Sequence, residues 1–514
     1  MPLLTRVKPK AYQDSVRLMR LSEVLSGLSK VKQATVAMGT DANKRVLAEV
    51  GLLTDDVRGA GANDLVIVIE ADSEAAARRA IVEAERLLAE RDRPAGSGAA
   101  SAAPTTLEQA RRKLADANMM LISVPGDYAA LEAARALHAG LHVFLFSDNV
   151  TLEDELALKR LAASKGLLMM GPGCGTAVIN GVALAFANVL KRGPVGVVGA
   201  SGTGLQELTS LIDRGGTGIS QAIGVGGRDL SEAVGGIMML QGIAMLAADP
   251  DTQIIALISK PPAAPVARKI LDAARASGKP IIVNFLGGRQ AGIENSVQFT
   301  TTIEHAAEAI LRQVNGDDRN RYTLNPADFE RLADGERLRL RPSQRYLRGL
   351  FSGGSLCDEA IDIVSEKLGG VYSNIPLAPE WALGDAWRSK AHSCVDMGEE
   401  EFTRGRPHPM IDTRLRQERL LKEADDSEVA VILLDVVIGY GAHDDPAGAL
   451  GESIRAARAK ATDAGRYLPV VAHVCGTAQD PQGLEQQERK LREAGALVLP
   501  TNAQAARVAA AIAR

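Results

Sequence analysis

One local pattern occurs twice in this chain: an apolar strand, a glycine-rich turn and a helix. The first copy is PVGVVGASGTGLQELTSLI at residues 194–212, and the second is LRGLFSGGSLCDEAIDIV at residues 347–364. Elsewhere, short Val/Ile/Leu strands alternate with helical segments that are rich in Ala, Arg, Glu and Leu. This alternation is typical of parallel sheets that are covered by helices. The sequence therefore predicts an α/β fold.

The segments that follow the two copies also match in their order. Each copy is followed by a short strand that ends in polar and glycine residues, then by a buried strand after an acidic turn, and last by a strand led by a proline. The matching spans are 220–236 with 392–412, 251–262 with 427–446, and 278–288 with 468–481. We interpret this order as an internal duplication, in which one chain carries the same folding unit twice.

Composition excludes several classes of function. The chain has 514 residues, 46% of them hydrophobic, and a formal net charge of -4 without a long basic run. Nucleic acids and anionic membrane surfaces are therefore not expected as partners. Four cysteines in no CxxC pair argue against a disulfide framework or a zinc site. Residues 1–25 are charged throughout, and no run of about 18 apolar residues occurs. We expect a cytoplasmic protein.

The two glycine turns favour binding of an anion. A turn of this kind opens a helix with free backbone N–H groups and the positive end of the helix dipole. Such a site suits a phosphate or a carboxylate, and glycine lets the ligand approach the backbone. A plain connection between strand and helix is the alternative for either turn, but two matching turns can aim two helix N-termini at one anion. The candidate anion-binding residues are Ser201, Gly202, Thr203, Gly353, Gly354 and Ser355.

Residues 122–181 resemble the α subunit of succinyl-CoA synthetase and the related NDP-forming acyl-CoA synthetases. The resemblance includes GPGCGT, where the family has a Gly-Pro-Asn-Cys turn, and continues through VGVVGASGTGLQEL and IGVGGRD to DPDTQIIALI. Residues 30–310 look like that α subunit, and residues 346–514 look like the carboxy-terminal ligase domain of the β subunit. With SGGSLCDEA and LLDVVIGYGAHDDP in this order, the chain is identified as a member of the FdrA family.

The resemblance implies a Rossmann-like CoA-binding-type domain followed by two flavodoxin-like, parallel-sheet domains of the ligase type. We place the first domain at residues 1–190, with a flexible insert at 93–106 that is rich in Gly, Ser, Ala and Pro. The second domain spans 191–314, a charged linker spans 315–345, and the third domain spans 346–514. In the ligases, one helix of this type from each subunit points at a phosphohistidine, so the resemblance implies that both helices lie on one chain here.

The sequence departs from the ligases in three places. The α/β domains use the whole chain, so no ATP-grasp domain is expected and ATP would bind to a partner. The loop that holds the phosphohistidine in the family reads NFLGGRQAGIENSVQFTTTIEHAA here and has no histidine before His305. The loop after the first strand, AMGTDANKRVL, has only Gly39 where the ligases have several glycines. CoA is therefore a possible ligand rather than an expected one.

The FdrA resemblance implies a subunit of an oxamate carbamoyltransferase in allantoin (purine) catabolism. The reaction would convert oxalurate and phosphate to oxamate and carbamoyl phosphate, together with other subunits of a heteromeric complex. An acyl-CoA synthetase activity of the succinyl-CoA ligase type, with ATP bound by a partner, is the first alternative. A non-catalytic scaffold whose sites have degenerated is the second.

Several other residues follow buried strands, where ligands gather in α/β folds. His473 and His443 are candidates for acid–base catalysis, with a packed imidazole and a solvated turn as the respective alternatives. A lone cysteine such as Cys174 is more often packed than nucleophilic. Contacts with the substrate are expected from Cys174, Gly226, Gly227, Gly439 and Gly441. No spacing typical of metal ligands occurs, so no metal is expected.

Overall fold

The computed structural model describes residues 2–90, 103–316, 320–404 and 406–514. The strands of these residues form four sheets. No helix in this described part is long and apolar enough to cross a membrane. The predicted insert at 93–106 lies mostly outside the described residues, because its positions 93–102 are not among them.

The first sheet is antiparallel, which corrects the prediction that 34–39 and 64–71 belong to a parallel Rossmann-like sheet. The strand at 65–71 is central, and both neighbours run opposite to it. Two short helices connect the second strand to the third and bring the chain back to the end where the second strand finished. The elements are β1 Leu3–Lys8, α1 Ser15–Ser26, β2 Val31–Met38, α2 Asp41–Glu49, α3 Asp55–Gly59, β3 Leu65–Ala71 and α4 Glu74–Glu90.

The second sheet is small and parallel, and its strands lie in chain order. It contains the predicted strands at 118–125, 142–147 and 166–172. This part carries the Rossmann-like α/β arrangement, separately from the first sheet. Its elements are α5 Leu107–Lys113, β4 Met119–Ile122, α6 Gly126–His138, β5 His142–Leu145, α7 Leu152–Ser164 and β6 Met169–Met170.

The third sheet has eight strands in the order β13-β14-β12-β11-β9-β10-β7-β8. Its first hairpin, β7–β8, precedes residue 191 and pairs with β10 at Val178 and Ala222, so the sheet extends across the predicted boundary at 190. The elements are β7 Thr176–Ile179, β8 Val182–Ala185, β9 Arg192–Gly199, α8 Gly202–Arg214, β10 Ile219–Gly224, α9 Ile237–Ala248, β11 Ile254–Ser259, α10 Ala264–Ala276, β12 Ile281–Phe285, β13 Gly292–Glu294, β14 Val297–Thr300 and α11 Ile303–Asn315.

The fourth sheet is parallel throughout, in the order β16-β15-β17-β18-β19. The segment before it, predicted as a linker at 315–345, includes helix α12 at Pro326–Arg337, which packs against the last helix of the chain. Asn325 caps this helix, and Pro326 occupies its first turn. The remaining elements are β15 Tyr346–Phe351, α13 Gly354–Leu368, β16 Ser393–Asp396, α14 Glu400–Thr403, α15 Arg414–Glu423, β17 Val429–Val437, α16 Pro446–Asp463, β18 Val470–Cys475, α17 Leu484–Glu493, β19 Leu497–Leu499 and α18 Asn502–Ile512.

The two large sheets share one topology. Numbered within each unit, the parallel strands β9, β10, β11, β12 and β14 lie in the order 2-1-3-4-5, and so do β15 to β19. This is the flavodoxin-like order, in which ligands bind where the connections change direction beside the first strand. In both units, the helix after the first strand is the glycine-turn helix, α8 or α13. The order supports the predicted flavodoxin-like fold of both units.

The two units pack around α8 and α13 through reciprocal contacts. Both helices lie in one hydrophobic core with α11 and α18. Glu207 of α8 accepts a hydrogen bond from the N–H of Asn502, which opens α18 in the other unit, at 3.4 Å. Glu359 of α13 accepts one from the N–H of Ile303, which opens α11, at 2.7 Å. Each unit therefore caps the last helix of the other, and this exchange fixes α8 against α13.

Glu359→Gln tests the reciprocal contact. Burial raises the pKa of Glu359 from 4.5 to about 7. Because the folded pKa is the higher one, the stabilisation is complete below the unfolded pKa and is lost as the pH rises through 7. Between pH 6 and pH 8, the wild type should lose about 1 kcal/mol more free energy of unfolding than the glutamine variant. Urea titrations at the two pH values measure this difference.

The exposed Glu366 on the same helix provides the control. Glu366→Gln should show the same pH dependence as the wild type, because this side chain lies in solvent. Equal losses of stability in the wild type and in Glu359→Gln would contradict the assignment of a titrating carboxyl at this interface.

Candidate functional site

The N-termini of α8 and α13 meet. Ser201 is the N-cap of α8, and its Oγ accepts a hydrogen bond from the N–H of Gly204 at 3.1 Å. The same Oγ lies 2.5 Å from Oγ of Ser355, in the first turn of α13. The Oγ1 of Thr203 accepts a hydrogen bond from the N–H of Ser355 at 3.3 Å. Side chains of the two helix starts are therefore in direct contact across the boundary between the units.

Backbone donors at this contact have no partner in the protein. The N–H groups of Gly202, Thr203 and Gly354 donate to no acceptor among the described residues. A Cβ built on Gly202 would have its nearest neighbour, Oγ1 of Thr176, at 3.7 Å, so there is space in front of this helix start. Unpaired N–H groups and two helix dipoles that point at one place are the elements of an anion site. The arrangement brings all six predicted anion-binding residues together.

A narrow cleft leads to the start of α8. It encloses about 30 Å³ and is lined by residues 173–176, 199–202, Leu205, Gly224, Gly226 and Gly227. A Cβ built on Gly175 or on Gly227 would meet no atom within 4 Å, so both glycines face open space. Three predicted substrate contacts, Cys174, Gly226 and Gly227, thus lie in one cleft with Ser201 and Gly202.

Cys174 lines the cleft without acting as an exposed thiol. It is 3% exposed, and its Sγ donates to the carbonyl of Thr176 at 3.5 Å. Burial raises the pKa of the Cys174 thiol to about 12. The side chain therefore stays protonated at neutral pH, and packing accounts for its position in the cleft.

Buried Asp435 fixes the turn before α13. Its carboxylate accepts hydrogen bonds from the N–H groups of Ser352 and Gly353, each at 2.8 Å, and from Oγ of Ser352 at 3.0 Å. Arg416, 2% exposed, donates to the same carboxylate at 2.8 Å. Because the Asp435 carboxylate and the Arg416 guanidinium are both buried, they hold this turn rigidly. Gly354 and Ser355 follow the turn and face the site.

Four charged groups that sequence analysis missed stand beside the start of α13. Lys260, directly after β11, forms an ion pair with Asp358 of α13 at 2.8 Å and so links the two units. Asp396 ends β16 and is 3% exposed. Glu399 follows it, and its charge acts on Lys260 and Asp358. All but Asp358 follow a parallel strand at its carboxyl end, which is the signal that could have identified them.

His408 is also close to this group and was not predicted. Its Nδ1 accepts a hydrogen bond from the N–H of Met410 at 3.2 Å, which leaves the proton of the neutral ring on Nε2. A Cβ built on Gly398 would lie 2.7 Å from that Nε2 and 3.1 Å from Oδ1 of Asp396. Burial and the charge of Arg416 lower the pKa of His408 to about 4. The imidazole is therefore a neutral N–H donor near the start of α13.

The structure places His473 away from the site. It is fully buried on β18, where Nε2 lies 2.8 Å from the Glu207 carboxylate and Nδ1 lies 3.2 Å from the carbonyl of Leu499. Burial would raise the pKa of Glu207, but His473 and Arg214 lower it below its ordinary value. This pair belongs to the interface between the units, and an imidazole with both nitrogens engaged has no access to a substrate. The predicted catalytic position is therefore a packing position.

The segment that contains His443 contacts α1 and the residues just before β9. Nε2 of His443 lies 3.3 Å from Glu23 on α1, and Nδ1 accepts from the N–H of Asp445. Gly439 and Gly441 have φ values of 116° and 82°, which favour glycine. A Cβ on Gly439 would fall 2.6 Å from the carbonyl of Ala187, and one on Gly441 would fall 2.7 Å from the Phe186 ring. These glycines allow close packing between the units, and the structure does not bring them into the cleft at α8.

Three known protein families match segments of this chain. A CoA-ligase domain matches residues 350–512, a CoA binding domain matches 191–287, and the heavy metal-associated domain of AllF matches 1–106. These matches show that the chain contains a domain of the CoA-ligase type and a domain of the CoA-binding type.

One relative matches almost the whole chain, and ligase subunits match part of it. The uncharacterized protein YahF of Escherichia coli is 49% identical over 495 residues, which cover 96% of this chain and 95% of YahF. This chain therefore belongs to the YahF family. The ADP-forming sulfoacetate-CoA ligase subunit SauD of Bilophila wadsworthia is 29% identical over 35% of this chain and 64% of its own length. The succinate–CoA ligase [ADP-forming] subunit alpha of Aquifex aeolicus is 31% identical over 28% and 48%. The chain thus spans about half to two thirds of these ligase subunits.

The N-terminal segment does not fit a heavy metal. Residues 1–106 contain neither cysteine nor histidine, which are the ligands that soft and borderline metal ions prefer. Across the described ranges, no group of three or more His, Cys, Asp or Glu side chains is arranged to hold a metal ion. The likeness of this segment to a heavy metal-associated domain is therefore a likeness of fold.

CoA has limited room at this site. The cleft beside Gly175 and Gly227 encloses about 30 Å³, about the volume of one water molecule in the liquid, so a pantetheine arm would require the cleft to widen. The loop with Gly39 lies in the antiparallel first sheet, where a Cβ on that glycine would fall 2.6 Å from the carbonyl of Gly61. Gly39 therefore serves packing, and the nucleotide end of CoA has no cradle in that loop.

His473→Ala and His443→Ala separate packing from catalysis. Loss of His473 removes the closest donor to the buried Glu207 carboxylate and leaves it the N–H of Asn502 at 3.4 Å, which should cost about 1–3 kcal/mol of unfolding free energy. Loss of His443 removes a partly exposed contact and should cost at most about 1 kcal/mol. The midpoints of urea unfolding measure both. A His473→Ala variant as stable as the wild type would contradict the packing role.

Proposed function

We propose that this chain is the acyl-transferring subunit of an acyl-CoA synthetase of the succinyl-CoA ligase type. The contact between Ser201 and Ser355 carries the proposal, because it sets the starts of α8 and α13 around one point. Backbone donors from both units converge there on a phosphate or an acyl phosphate. The matches to a CoA-ligase domain and a CoA binding domain, and the partial likeness to SauD, support this function for the site.

The proposed reaction is attack of a thiol on an acyl phosphate. The phosphate would occupy the helix starts, with its oxygens on the N–H groups of Gly202, Thr203 and Gly354. The acyl carbon would face the glycine cleft, through which the CoA thiol arrives. The helix dipoles would stabilise the charge on the leaving phosphate, and the rigid turn at Asp435 would supply positioning.

A partner would supply the nucleotide. SauD and the Aquifex aeolicus protein are both named as subunits of ADP-forming ligases. The sequence also predicts no ATP-grasp domain in this chain, which agrees with binding of the nucleotide by another subunit. We infer that the chain works in a heteromeric complex, in which another subunit forms the acyl phosphate.

Direct exchange of carbamoyl phosphate, as in the FdrA-type oxamate carbamoyltransferase, is the second candidate. It is favoured by the loop after β12, which has no histidine between residues 286 and 296. His305 does not replace one, because it lies on α11, 3.4 Å from Oγ1 of Thr301. A site without a phosphohistidine can still transfer the carbamoyl group directly: phosphate oxygen attacks the carbamoyl carbon of oxalurate, the bond from that carbon to the oxamate nitrogen breaks, and oxamate leaves with a proton from phosphate.

Gly202→Asp tests the anion site by thermal shift. A ligand at a hundred times its Kd stabilises the wild type by about 2.7 kcal/mol, so phosphate should raise its Tm. In Gly202→Asp, the new carboxylate would occupy the helix start and repel phosphate, and the Tm should no longer respond. Without ligand, this variant should fold as well as the wild type, because an acidic group in the first turn of a helix is stabilising.

Gly202→Ala is the matched control and should keep the response to phosphate, because its methyl group has space and no charge. Stabilisation by CoA together with phosphate would favour the acyl-CoA synthetase. Stabilisation by carbamoyl phosphate and phosphate, without CoA, would favour the carbamoyltransferase. A wild-type Tm indifferent to all three ligands would reject both and leave the non-catalytic scaffold.

A further inference from the structure

The carboxyl of Asp396 faces the start of α13. A Cβ built on Gly354, the first residue of that helix, would lie 2.6 Å from its Oδ2. The other oxygen, Oδ1, accepts a hydrogen bond from the N–H of Gly398 at 2.8 Å. Oδ2 has no hydrogen-bond partner among the described residues, although the side chain is 97% buried, being 3% exposed. One oxygen of this buried residue thus faces the start of α13 without a hydrogen-bond partner among the described residues.

An ionised carboxylate in this position would oppose the binding of a phosphate. Both are anions, and the surroundings are poorly hydrated, so their repulsion is weakly screened. A protonated carboxyl removes the repulsion and adds a donor that an anion oxygen can accept. Burial raises the pKa of Asp396 from 3.8 to about 7, which places both protonation states within reach at neutral pH.

We propose that Asp396 takes up a proton when an anion binds between α8 and α13, and that it transfers this proton during acyl transfer. The proposal rests on the function proposed above. In the neutral state, the O–H of Asp396 donates to a phosphate oxygen next to the N–H of Gly354. Asp396 is then a catalytic residue that contacts the leaving group.

Asp396 is both the donor and the acceptor of the proton in this transfer. The thiol sulfur forms a bond to the acyl carbon, and the bond between that carbon and the phosphate oxygen breaks. Asp396 gives its proton to the leaving phosphate oxygen. The proton of the thiol then passes to the Asp396 carboxylate, which is restored to its neutral form. The products are a thioester and hydrogen phosphate, and no further reactant is needed.

Each element that packs against Asp396 carries a charged or titratable group that faces its carboxyl. Asp435, Asp358 and Glu399 act to raise its pKa. Burial raises the pKa of Asp358 and of Glu399, and the ion pair with Asp358 contributes to a raised pKa of Lys260. The groups that face it are Asp358 on α13, Asp435 on β17, Arg416 on α15, Lys260 after β11, Glu399 before α14 and His408 before α15. Asp358 is held in its ion pair with Lys260, so Glu399 is the acceptor chosen for the control variant.

Sulfate is the probe, since it stays dianionic from pH 6 to pH 9, whereas phosphate itself titrates near pH 7. Calorimetric titrations of the full chain in two buffers of different ionisation enthalpy measure the protons taken up on binding. With a pKa of about 7, wild-type affinity for sulfate should fall about tenfold from pH 6 to pH 8, with uptake of about one proton at pH 8. Asp396→Asn should bind sulfate with no proton uptake. Glu399→Gln should keep the proton uptake at pH 8, with the fall in affinity displaced to lower pH because the charge of Glu399 raises the pKa of Asp396.

Each outcome either supports or overturns the proposed role of Asp396. Proton uptake that is lost in Asp396→Asn and kept in Glu399→Gln supports the proposal. Uptake that persists in Asp396→Asn, or sulfate binding by the wild type without uptake, overturns the role of Asp396 and leaves the anion site intact. No binding of sulfate or phosphate by the wild type overturns the proposed function as well. The wild-type measurement needs no variant, so a poorly folded asparagine variant does not prevent the test.

Discussion

The reciprocal capping between the two flavodoxin-like units determines where the candidate site lies. Glu207 and Glu359 occupy the same position in their helices, and each bonds to the first residue of the last helix in the other unit. Carboxyl oxygens at helix N-termini are favourable because they accept hydrogen bonds from N–H groups that have no partner within the helix. Two such contacts, related by the duplicated fold, hold α8 against α13. Once these helices are fixed side by side, their glycine turns have to meet.

Bringing two positively charged helix starts together costs electrostatic free energy. Carboxyl groups at the ends of neighbouring strands offset this cost. Each helix start carries about half a positive charge, and neither α8 nor α13 has an acidic residue in its first turn. The compensation comes from strand ends, from Asp435 on β17 and Asp396 on β16, both beside α13. Among the described residues, no carboxylate accepts a hydrogen bond from the start of α8, and the N–H groups of Gly202 and Thr203 have no acceptor. The charge distribution thus leaves one place where an exogenous anion completes the balance.

Much of this fold follows from local sequence. The strand–glycine–helix pattern at 194–212 and 347–364 led to the duplication and to six residues that the structure brings together. The antiparallel first sheet was missed because β2 and β3 have the apolar composition of parallel strands, and only the two short helices between them reverse the direction. His473 was misjudged because a histidine at a strand end gives no local sign of a buried carboxylate 266 residues away in sequence. Asp396 and Lys260 stand at the carboxyl ends of strands, which the sequence indicates, but only tertiary packing shows that both of them lie beside α13.

The contact that closes the site is weak enough for a ligand to replace. Ser201 and Ser355 share one hydrogen bond between neutral hydroxyls, which contributes about 0.5–1.5 kcal/mol net. Bonds from N–H groups to a charged phosphate are each worth about 1.5–3 kcal/mol, and several donors converge at the helix starts. An anion that parts the two hydroxyls therefore gains more than the protein loses, provided that Asp396 is neutral. The ion pair between Lys260 and Asp358 spans the same boundary and keeps the units together while the hydroxyls separate.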